Sequence, residues 1–360
     1  MGILSYGEQA PWFEAPALHG NPTYAFDAVA GRVVLMLFAG SMGWPASADA
    51  FASISRHRDL FDDEDACFFG VSIDPADMSE NRITQRLPGM RWLLDHDRRV
   101  SALFGAASET GDGATYEPCL LLLDHRMRVA GRFDIRKADI ALDATRQLMV
   151  AGCESDTAPV LLVPRVFEPE MCSHLIQLYE RSGGVESGYM HEQDGMTVPV
   201  VDHSFKRRSD YVIEDERLQA ALKARLLRRL VPEIVRSFQY RPTRIERWLV
   251  ARYDSGERSG FFKPHRDNTM RGTAHRRFAC TINLNAGEFE GGDLCFPEFG
   301  PRSYRAPTGG AIIFSCSMLH EAKPVTAGHR YAFLPFFYDD EAAELRKANL
   351  KYLDLGDPPA

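Results

Sequence analysis

Three residues of the sequence have side chains that commonly bind transition metals, and their spacing would bring them together. His265 and Asp267 lie two positions apart within residues 261–267, a run that begins with two phenylalanines. In a β-strand, side chains two positions apart project from the same face, whereas on a helix they diverge. His320 comes shortly after the apolar run 310–314, which is typical of a short buried strand. The sequence therefore predicts a metal centre with two histidines and one aspartate as ligands.

These three ligands would occupy one face of the metal and leave other coordination positions open. That arrangement is typical of non-haem Fe(II) sites in oxygenases, and zinc with three protein ligands is a second physical possibility. A His-x-Asp tripeptide alone has little weight, because His57-Arg58-Asp59 repeats it within residues 46–61. That segment has the alanine content and apolar spacing of an amphipathic helix, so we interpret the earlier copy as a solvent-exposed helix face.

The context of the second copy gives it more weight. Several motifs follow one another in the order and spacing of one protein family, and together they are more specific than any one of them. With them, roughly the second half of the chain resembles the catalytic domain of prolyl-4-hydroxylase-type 2-oxoglutarate-dependent oxygenases. The motifs are RYDSG at 252–256, the pair His265 and Asp267, TINLN at 281–285, EGGDL at 290–294, His320 and Arg330.

The resemblance implies a cofactor set and a reaction. In the family, 2-oxoglutarate chelates Fe(II), O2 takes the last site, and decarboxylation gives succinate, CO2 and a ferryl species that abstracts a substrate hydrogen; ascorbate is a further candidate cofactor. Arg330 would pair with the far carboxylate of 2-oxoglutarate, a task that suits a buried guanidinium fork. Tyr253 matches the tyrosine that lines this pocket, and Thr281 or Asn283 could add a hydrogen bond. Surface exposure of Arg330 and a core role for Tyr253 are the alternative interpretations.

The substrate is specified far less well. Related halogenases lack the metal-binding carboxylate, so Asp267 favours hydroxylation or desaturation. Arg207, Arg208 and Trp248, with the segment 183–210, are candidates for substrate binding by position alone, and the arginines would suit an anionic substrate. A peptidyl proline, a free amino acid and a natural-product intermediate all stay open as small-molecule or peptide substrates.

The first 150 residues show a different succession of elements. A buried strand, a helix and a second buried strand predict a parallel pair joined by a crossover. With the opening Ala10-Pro11 and with Pro118 before a strand, this part resembles the peroxiredoxin branch of the thioredoxin fold. The predicted elements are strands 32–38 and 67–74, the helix 46–61, a helix from 75, a strand at 90–95, a hairpin of 116–124 with 129–133, and a helix at 138–151.

The departure from peroxiredoxins concerns the nucleophile. In that family a peroxidatic cysteine stands before a proline on the first turn of a helix, where the helix dipole lowers its pKa. Here Trp44 precedes Pro45, and no cysteine occurs before Cys67. We therefore expect a redox-inactive domain that serves docking, dimerisation or substrate presentation. A redox role for Cys67 or Cys119 is the alternative; the seven cysteines are odd in number and scattered, which favours reduced core thiols.

The fold class expected from these patterns is an α/β thioredoxin-like domain followed by a double-stranded β-helix, or jelly roll, flanked by helices. The predicted boundaries are a first domain at 1–151, a linker at 152–159, an oxygenase domain at 160–340 and a tail at 341–360. In the second domain we expect helices at 168–180 and 214–238 and an irregular mobile loop at 183–202. The expected strands are 160–167, 245–253, 278–285, 292–296, 304–306, 311–314 and 331–338.

Composition narrows the functional classes. A net charge of −8 and a pI near 5.8 argue against general nucleic-acid binding. No apolar run approaches the length of a bilayer span, and the first residues lack a signal-peptide pattern, so we expect a cytoplasmic protein without a membrane partner, with a homodimer through the first domain as one assembly. Besides the oxygenase, the sequence leaves open a thiol-dependent redox protein and a partner-binding protein with a vestigial metal site.

Overall fold

The computed structural model describes residues 3–110, 113–152, 157–193 and 195–354. The chain forms two compact units, one of Met1–Thr157 with Pro297–Pro301 and the other of Ala158–Phe296 with Arg302–Ala360. None of the helices in the described ranges is both long enough and apolar enough to cross a bilayer.

The first unit is built around a five-stranded sheet. Its central strand, Val33–Gly40, is buried along its whole length and pairs in parallel with Ala66–Ser72, as the crossover pattern predicts. The hairpin that follows is antiparallel, through Cys119–Leu123 and Val129–Asp134. In order across the sheet the strands are Met90–Leu94, Ala66–Ser72, Val33–Gly40, Cys119–Leu123 and Val129–Asp134.

Helices and small hairpins complete the first unit. Helix Pro45–Arg56 begins at a proline, whose fixed φ suits the first helical position, and helix Ala138–Ala151 has the predicted bounds. Both bury apolar residues in one cluster with the central strand. The remaining elements are the short helices Pro75–Ser79 and Arg99–Leu103, the strands Glu14–Ala15 and Tyr24–Ala25, and the hairpin strands Ala107–Thr110 and Gly113–Tyr116.

The second unit contains one large and one smaller antiparallel sheet. The path through the large sheet is Leu161–Val163, Ala311–Ser315, Phe278–Asn283, Val325–Phe333, Leu249–Asp254, Ser209–Val212 and Val185–Glu186, with Arg244–Glu246, Phe289–Gly291 and Phe336–Tyr338 attached at its sides. The smaller sheet runs through Lys206–Arg207, Phe261–His265, His320–Ala322, Leu294–Cys295 and Ser303–Tyr304.

Two apolar clusters lie on opposite faces of the large sheet, as the alternation of side chains along a strand requires. On one face Val250, Ile282 and Phe333 pack with the helices Pro169–Ser182, Glu216–Arg225 and Val231–Phe238. On the other face Leu249, Ala251 and Tyr253 meet Ala322 and Phe262 of the smaller sheet. The functional residues lie between the two sheets, on this second face.

Residues 183–202 are more regular than expected. The irregular loop was a wrong prediction, because Tyr189–Gln193 and Met196–Val200 form an antiparallel hairpin, and Val185–Glu186 pairs with the large sheet. Gly195 supplies the positive φ of +77° that the turn requires. Backbone hydrogen bonds hold these strands together. Their formation therefore does not require a periodic pattern of apolar side chains in the sequence.

Two other elements are interrupted where the sequence suggested continuity. The predicted helix 214–238 is two helices joined by a π-helical turn, Leu226–Leu230, just before Pro232. Proline lacks an N–H and its ring clashes with the carbonyl four residues earlier, so the backbone widens there. The predicted strand 245–253 is broken at Arg247, whose φ is +67°. In the predicted tail, Asp340–Asn349 is a helix that begins after Asp339, whose side chain caps the N–H of Ala342.

Candidate active site

The two candidate histidines lie opposite one another on paired strands of the smaller sheet. Phe261–His265 pairs antiparallel with His320–Ala322, and His265 is in direct register with His320. Their ring centroids are 4.3 Å apart. Asp267 lies just beyond the first strand, where its N–H donates to the carbonyl of Cys316 at 3.0 Å. Strand pairing therefore brings together residues that are 55 positions apart in sequence.

The three side chains converge on one point. The Nε2 atom of His265 is 3.7 Å from Oδ1 of Asp267, and Nε2 of His320 is 3.4 Å from Oδ2. The candidate ligand atoms all lie within 4.8 Å of one another. Donors at such distances from one another can share one ion, since metal–nitrogen and metal–oxygen bonds are about 2.0–2.2 Å long.

The other ring nitrogens fix the imidazole tautomers. Nδ1 of His265 is 2.7 Å from the carbonyl of Lys263, and Nδ1 of His320 is 3.0 Å from that of Met318. A carbonyl only accepts, so each Nδ1 carries the proton and each Nε2 presents a lone pair to the shared point. Burial, and then the neighbouring His320, hold the pKa of His265 well below its usual value, which favours the neutral, metal-binding form.

Arg330 lies on strand Val325–Phe333 of the large sheet, and only 3% of its surface is exposed. Its Nη2 donates to Oγ1 of Thr281 at 3.0 Å, its Nε approaches Oδ1 of Asn283 at 3.4 Å, and its guanidinium is 5.0 Å from the centroid of the Tyr253 ring. Among the described residues, its buried Nη1 has no hydrogen-bond partner. A buried cationic donor without an acceptor is costly, so this atom points to an anionic ligand.

One cavity of the second unit contains both groups of residues. Its open volume, including the mouth, is about 500 Å³. Of the predicted site residues, His265, Asp267, His320, Arg330, Tyr253, Thr281 and Arg208 line it. Asn283 does not line the cavity but contacts Arg330. Its Nδ2 donates to the carbonyl of Ala306, and its oxygen faces Nε of Arg330.

Two predicted substrate residues lie elsewhere. Arg207 donates to the backbone carbonyls of His203 and Glu257, and Trp248 packs in the apolar cluster against Phe333. Neither belongs to the cavity lining. Arg207 ends its strand beside the lining residue Arg208, and neighbours in an extended chain face opposite ways; Trp248 lies with Arg247 in the break between Arg244–Glu246 and Leu249–Asp254.

The sequence interpretation missed several lining residues, above all Arg247, Phe262 and Phe336. Counting back in steps of two from Tyr253 passes Ala251 and Leu249, which share its face, and reaches Arg247. Strand parity would thus have selected Arg247 rather than Trp248. Phe262 could have been recognised by its place before the His-x-Asp pair; its ring stacks on His265 with centroids 3.4 Å apart.

The first unit does not present a reactive thiol at the expected position. The Trp44 indole lies against Gly40, where an added Cβ would be 2.2 Å from a ring atom, and Pro45 starts the helix. Burial raises the pKa of Cys67 to about 12 and that of Cys119 to about 11, so both are neutral thiols at physiological pH. Cys172, Cys280 and Cys316 are also buried and free, and Cys153 lies outside the described residues.

Comparisons with known proteins separate the same two parts of the chain. Residues 248–338 match the model of the 2OG-Fe(II) oxygenase superfamily, and residues 6–132 match that of the AhpC/TSA family. A PKHD-type hydroxylase of Acinetobacter baumannii is 31% identical over 121 residues, which are 28% of this chain and 53% of the relative. The chain spans about half the length of the first curated relatives that it matches.

Solved structures that align with parts of the chain include a prolyl-4-hydroxylase of Pseudomonas putida, at 15% identity and a TM-score of 0.36, covering 51% of this chain and 94% of that one. AhpC of Mycobacterium tuberculosis aligns at 20% identity and a TM-score of 0.34, covering 41% and 95%. The two resemblances predicted from sequence are confirmed by the family models: residues 248–338 are similar to the 2OG-Fe(II) oxygenase superfamily and residues 6–132 to the AhpC/TSA family.

Proposed function

We propose that this chain is an Fe(II)- and 2-oxoglutarate-dependent hydroxylase. The observation that carries the proposal is the convergence of two imidazole Nε2 atoms and one carboxylate, beside a buried guanidinium that has an unsatisfied donor. The match to the 2OG-Fe(II) oxygenase superfamily and the PKHD-type hydroxylase relatives support the same function.

The donor set fits iron. His265, Asp267 and His320 would hold Fe(II), because two neutral imidazoles and one carboxylate on one face leave positions for a chelating co-substrate and O2. When bound, the metal and 2-oxoglutarate supply oxidative decarboxylation to succinate and CO2, coupled to oxidation of a substrate C–H bond. The backbone carbonyls of Lys263 and Met318 hold both rings in the ligating tautomer.

The cavity also fits a dicarboxylate. Arg330 would donate from its free Nη1 to the far carboxylate of 2-oxoglutarate, while its Nη2 donates to the hydroxyl of Thr281, which holds the guanidinium in place. The Tyr253 ring covers the same guanidinium. Phe262, Leu294 and Phe314 give the lining an apolar surface that limits water near the metal ligands.

Several finer statements are part of this proposal. The two sheets that meet across Ala251 and Ala322 are consistent with a double-stranded β-helix. We also propose domains at 1–151 and 160–340 joined by a linker at 152–159, a cytoplasmic location, and a first domain without peroxidase activity that serves docking or dimerisation. Asp267 favours hydroxylation or desaturation of a small-molecule or peptide substrate, and ascorbate would support turnover.

The proposal is tested by succinate formation. Purified protein with Fe(II), 2-oxoglutarate and O2 should release succinate slowly without added substrate, and His320→Ala should reduce that rate by roughly 100-fold or more, since a ligand is lost. The matched control is His57→Ala, which removes the histidine of the other His-x-Asp copy and should leave the rate unchanged. Absence of both succinate and iron binding in the unmodified protein would refute the proposal.

A further inference from the structure

Arg247 is a second guanidinium in the cavity, and its contacts leave it available. Within the described residues it makes no hydrogen bond; its nearest acidic partner is Asp210, with Nη2 and Oδ2 3.6 Å apart. Its side chain is 28% exposed. Arg330, by contrast, is held by Thr281 and buried. Three arginines therefore line the cavity, in different situations: Arg330 is held by Thr281, Arg208 is paired with Asp210, and Arg247 has no hydrogen bond to the described part of the chain.

The charges around Arg247 do not cancel. Arg208 takes most of the acceptor capacity of Asp210 through a bidentate pair at 2.7 and 2.6 Å. Burial, followed by the neighbouring Arg208, lowers the pKa of Arg247 to about 10, so it is still a cation at neutral pH. Its charge is thus destabilised in the ligand-free cavity and would be stabilised by an added anion.

An aromatic neighbour and the local backbone both restrict Arg247. Its guanidinium lies 5.4 Å from the centroid of the Phe336 ring, and that of Arg276 lies 4.1 Å from the same ring. The backbone of Arg247 has a φ of +67° between two strands that are both paired in the large sheet. A guanidinium that is already ordered loses less entropy when it binds a planar anion.

The proposed cofactors would leave this charge unused. Fe(II) with one aspartate ligand keeps one positive charge, and Arg330 adds another; the two carboxylates of 2-oxoglutarate neutralise both. Asp210 neutralises Arg208. We propose that Arg247 binds a carboxylate of the substrate, which is therefore a small organic acid. This inference rests on the proposed function, and it names the substrate class for that site.

The test measures binding as well as turnover. The full-length protein, loaded with Mn(II) and 2-oxoglutarate, would be screened for a rise in melting temperature with free L-amino acids, their carboxamides, and N-acetylated peptides ending in a free carboxylate. The same compounds would then be tested for faster succinate release with Fe(II). We expect a free acid to act in both assays and its carboxamide to bind roughly 10- to 100-fold more weakly, because a charge-assisted hydrogen bond is lost.

Variants assign the effect to Arg247. Arg247→Gln should weaken binding of the active acid by roughly 10- to 100-fold, and Arg247→Lys should recover part of it; the loss of acid binding should be larger than any change in the KM for 2-oxoglutarate. Arg244→Gln removes an exposed arginine three positions away and is the matched control. Melting temperatures of the loaded variants without acid identify any loss of folding.

Three results would overturn the inference while leaving the proposed function intact. One is that no free acid acts although succinate is released; another is that carboxamides or peptides act as well as free acids. The third is that Arg247→Gln raises the KM for 2-oxoglutarate and spares the acid. Absence of both succinate release and iron binding, in contrast, would refute the proposed function.

Discussion

At the residue scale, the cavity uses arginine in two ways. Arg330 is buried, is bonded to Thr281 and has one donor left over, as expected of a group that waits for one fixed anion. Arg247 is more exposed and is held by an aromatic ring rather than by hydrogen bonds. The first arrangement would suit a co-substrate that is the same in every turnover, and the second would suit a separate anionic ligand.

Replacing Arg330 tests the first role. Arg330→Gln should weaken 2-oxoglutarate binding by roughly 2–5 kcal/mol, a rise in KM of about 30-fold or more, because the buried carboxylate would lose its charged partner. Thr281→Val keeps the guanidinium but removes its anchor and should raise KM by less than about tenfold. Succinate release measured against 2-oxoglutarate concentration gives both values. Equal KM values for Arg330→Gln and the unmodified protein would contradict the assignment.

The residues within motifs were the easiest to predict from sequence. His265, Asp267, His320, Arg330 and Tyr253 belong to ordered motifs, and the structure brings all five to one cavity. Substrate residues have no such motif, and position alone selected Arg207 and Trp248, which face away. The orientation of these side chains depends on strand parity and on the break at Arg247. A backbone break of this kind depends on how the neighbouring strands pair.

At the element scale, a tight turn supports the co-substrate side of the cavity. Gly291 and Gly292 link two strands with φ values of +68° and +67°, a region that side chains other than glycine seldom adopt. A Cβ on Gly292 would lie 2.8 Å from Cγ2 of Val325 and 3.2 Å from Cδ of Arg330. The absence of a side chain at Gly292 thus leaves room for the Arg330 stem.

Gly292→Ala tests this support. The variant should destabilise the fold by roughly 1–3 kcal/mol, because of the strained φ and the close contacts, and should raise the KM for 2-oxoglutarate by displacing Arg330. Gly287→Ala is the control, since a Cβ there meets no atom within 4 Å and its φ is not in the left-handed region. Urea unfolding and succinate kinetics separate the two effects. An unchanged KM would show that Arg330 adjusts to the added methyl group.

Element boundaries show where sequence patterns end. Helix Ala138–Ala151 and strand Val33–Gly40 follow from periodicity and apolar content, because each is buried in a single way. The hairpin of Tyr189–Gln193 and Met196–Val200 was missed because only Thr197 of its strands is fully buried, so they need no apolar alternation. The π-helical turn Leu226–Leu230 results from the geometry that Pro232 imposes, which residue spacing does not reveal.

At the scale of the whole molecule, the two units differ in how they depend on ligands. The first has an apolar core around its central strand, and burial keeps the Cys67 thiol of the neighbouring strand neutral. The second brings three candidate metal-binding side chains to one point, and Nη1 of Arg330 beside them has no hydrogen-bond partner among the described residues. Ligands that bind only the folded state raise its stability in proportion to the logarithm of their concentration.

Metal and co-substrate should therefore stabilise the chain. With Mn(II) and 2-oxoglutarate each at about 100 times its Kd, each ligand adds roughly 2.7 kcal/mol, and calorimetry should show a melting temperature higher by about 5 °C or more. Asp267→Ala should abolish the metal-dependent part, and Asp59→Ala, from the other His-x-Asp copy, should retain it. A shift of equal size in both variants would mean that the metal binds elsewhere.

The packing of Trp248 has an optical consequence. The chain has four tryptophans, of which Trp12, Trp44 and Trp92 belong to the first unit, so Trp248 is the single indole fluorophore of the second. Trp248 packs against Phe333, and in the chain it directly follows Arg247, the residue proposed to bind the substrate. In a chain whose other three tryptophans are replaced by phenylalanine, emission would come from this neighbourhood alone, and a fluorescence titration could follow ligand entry without any turnover.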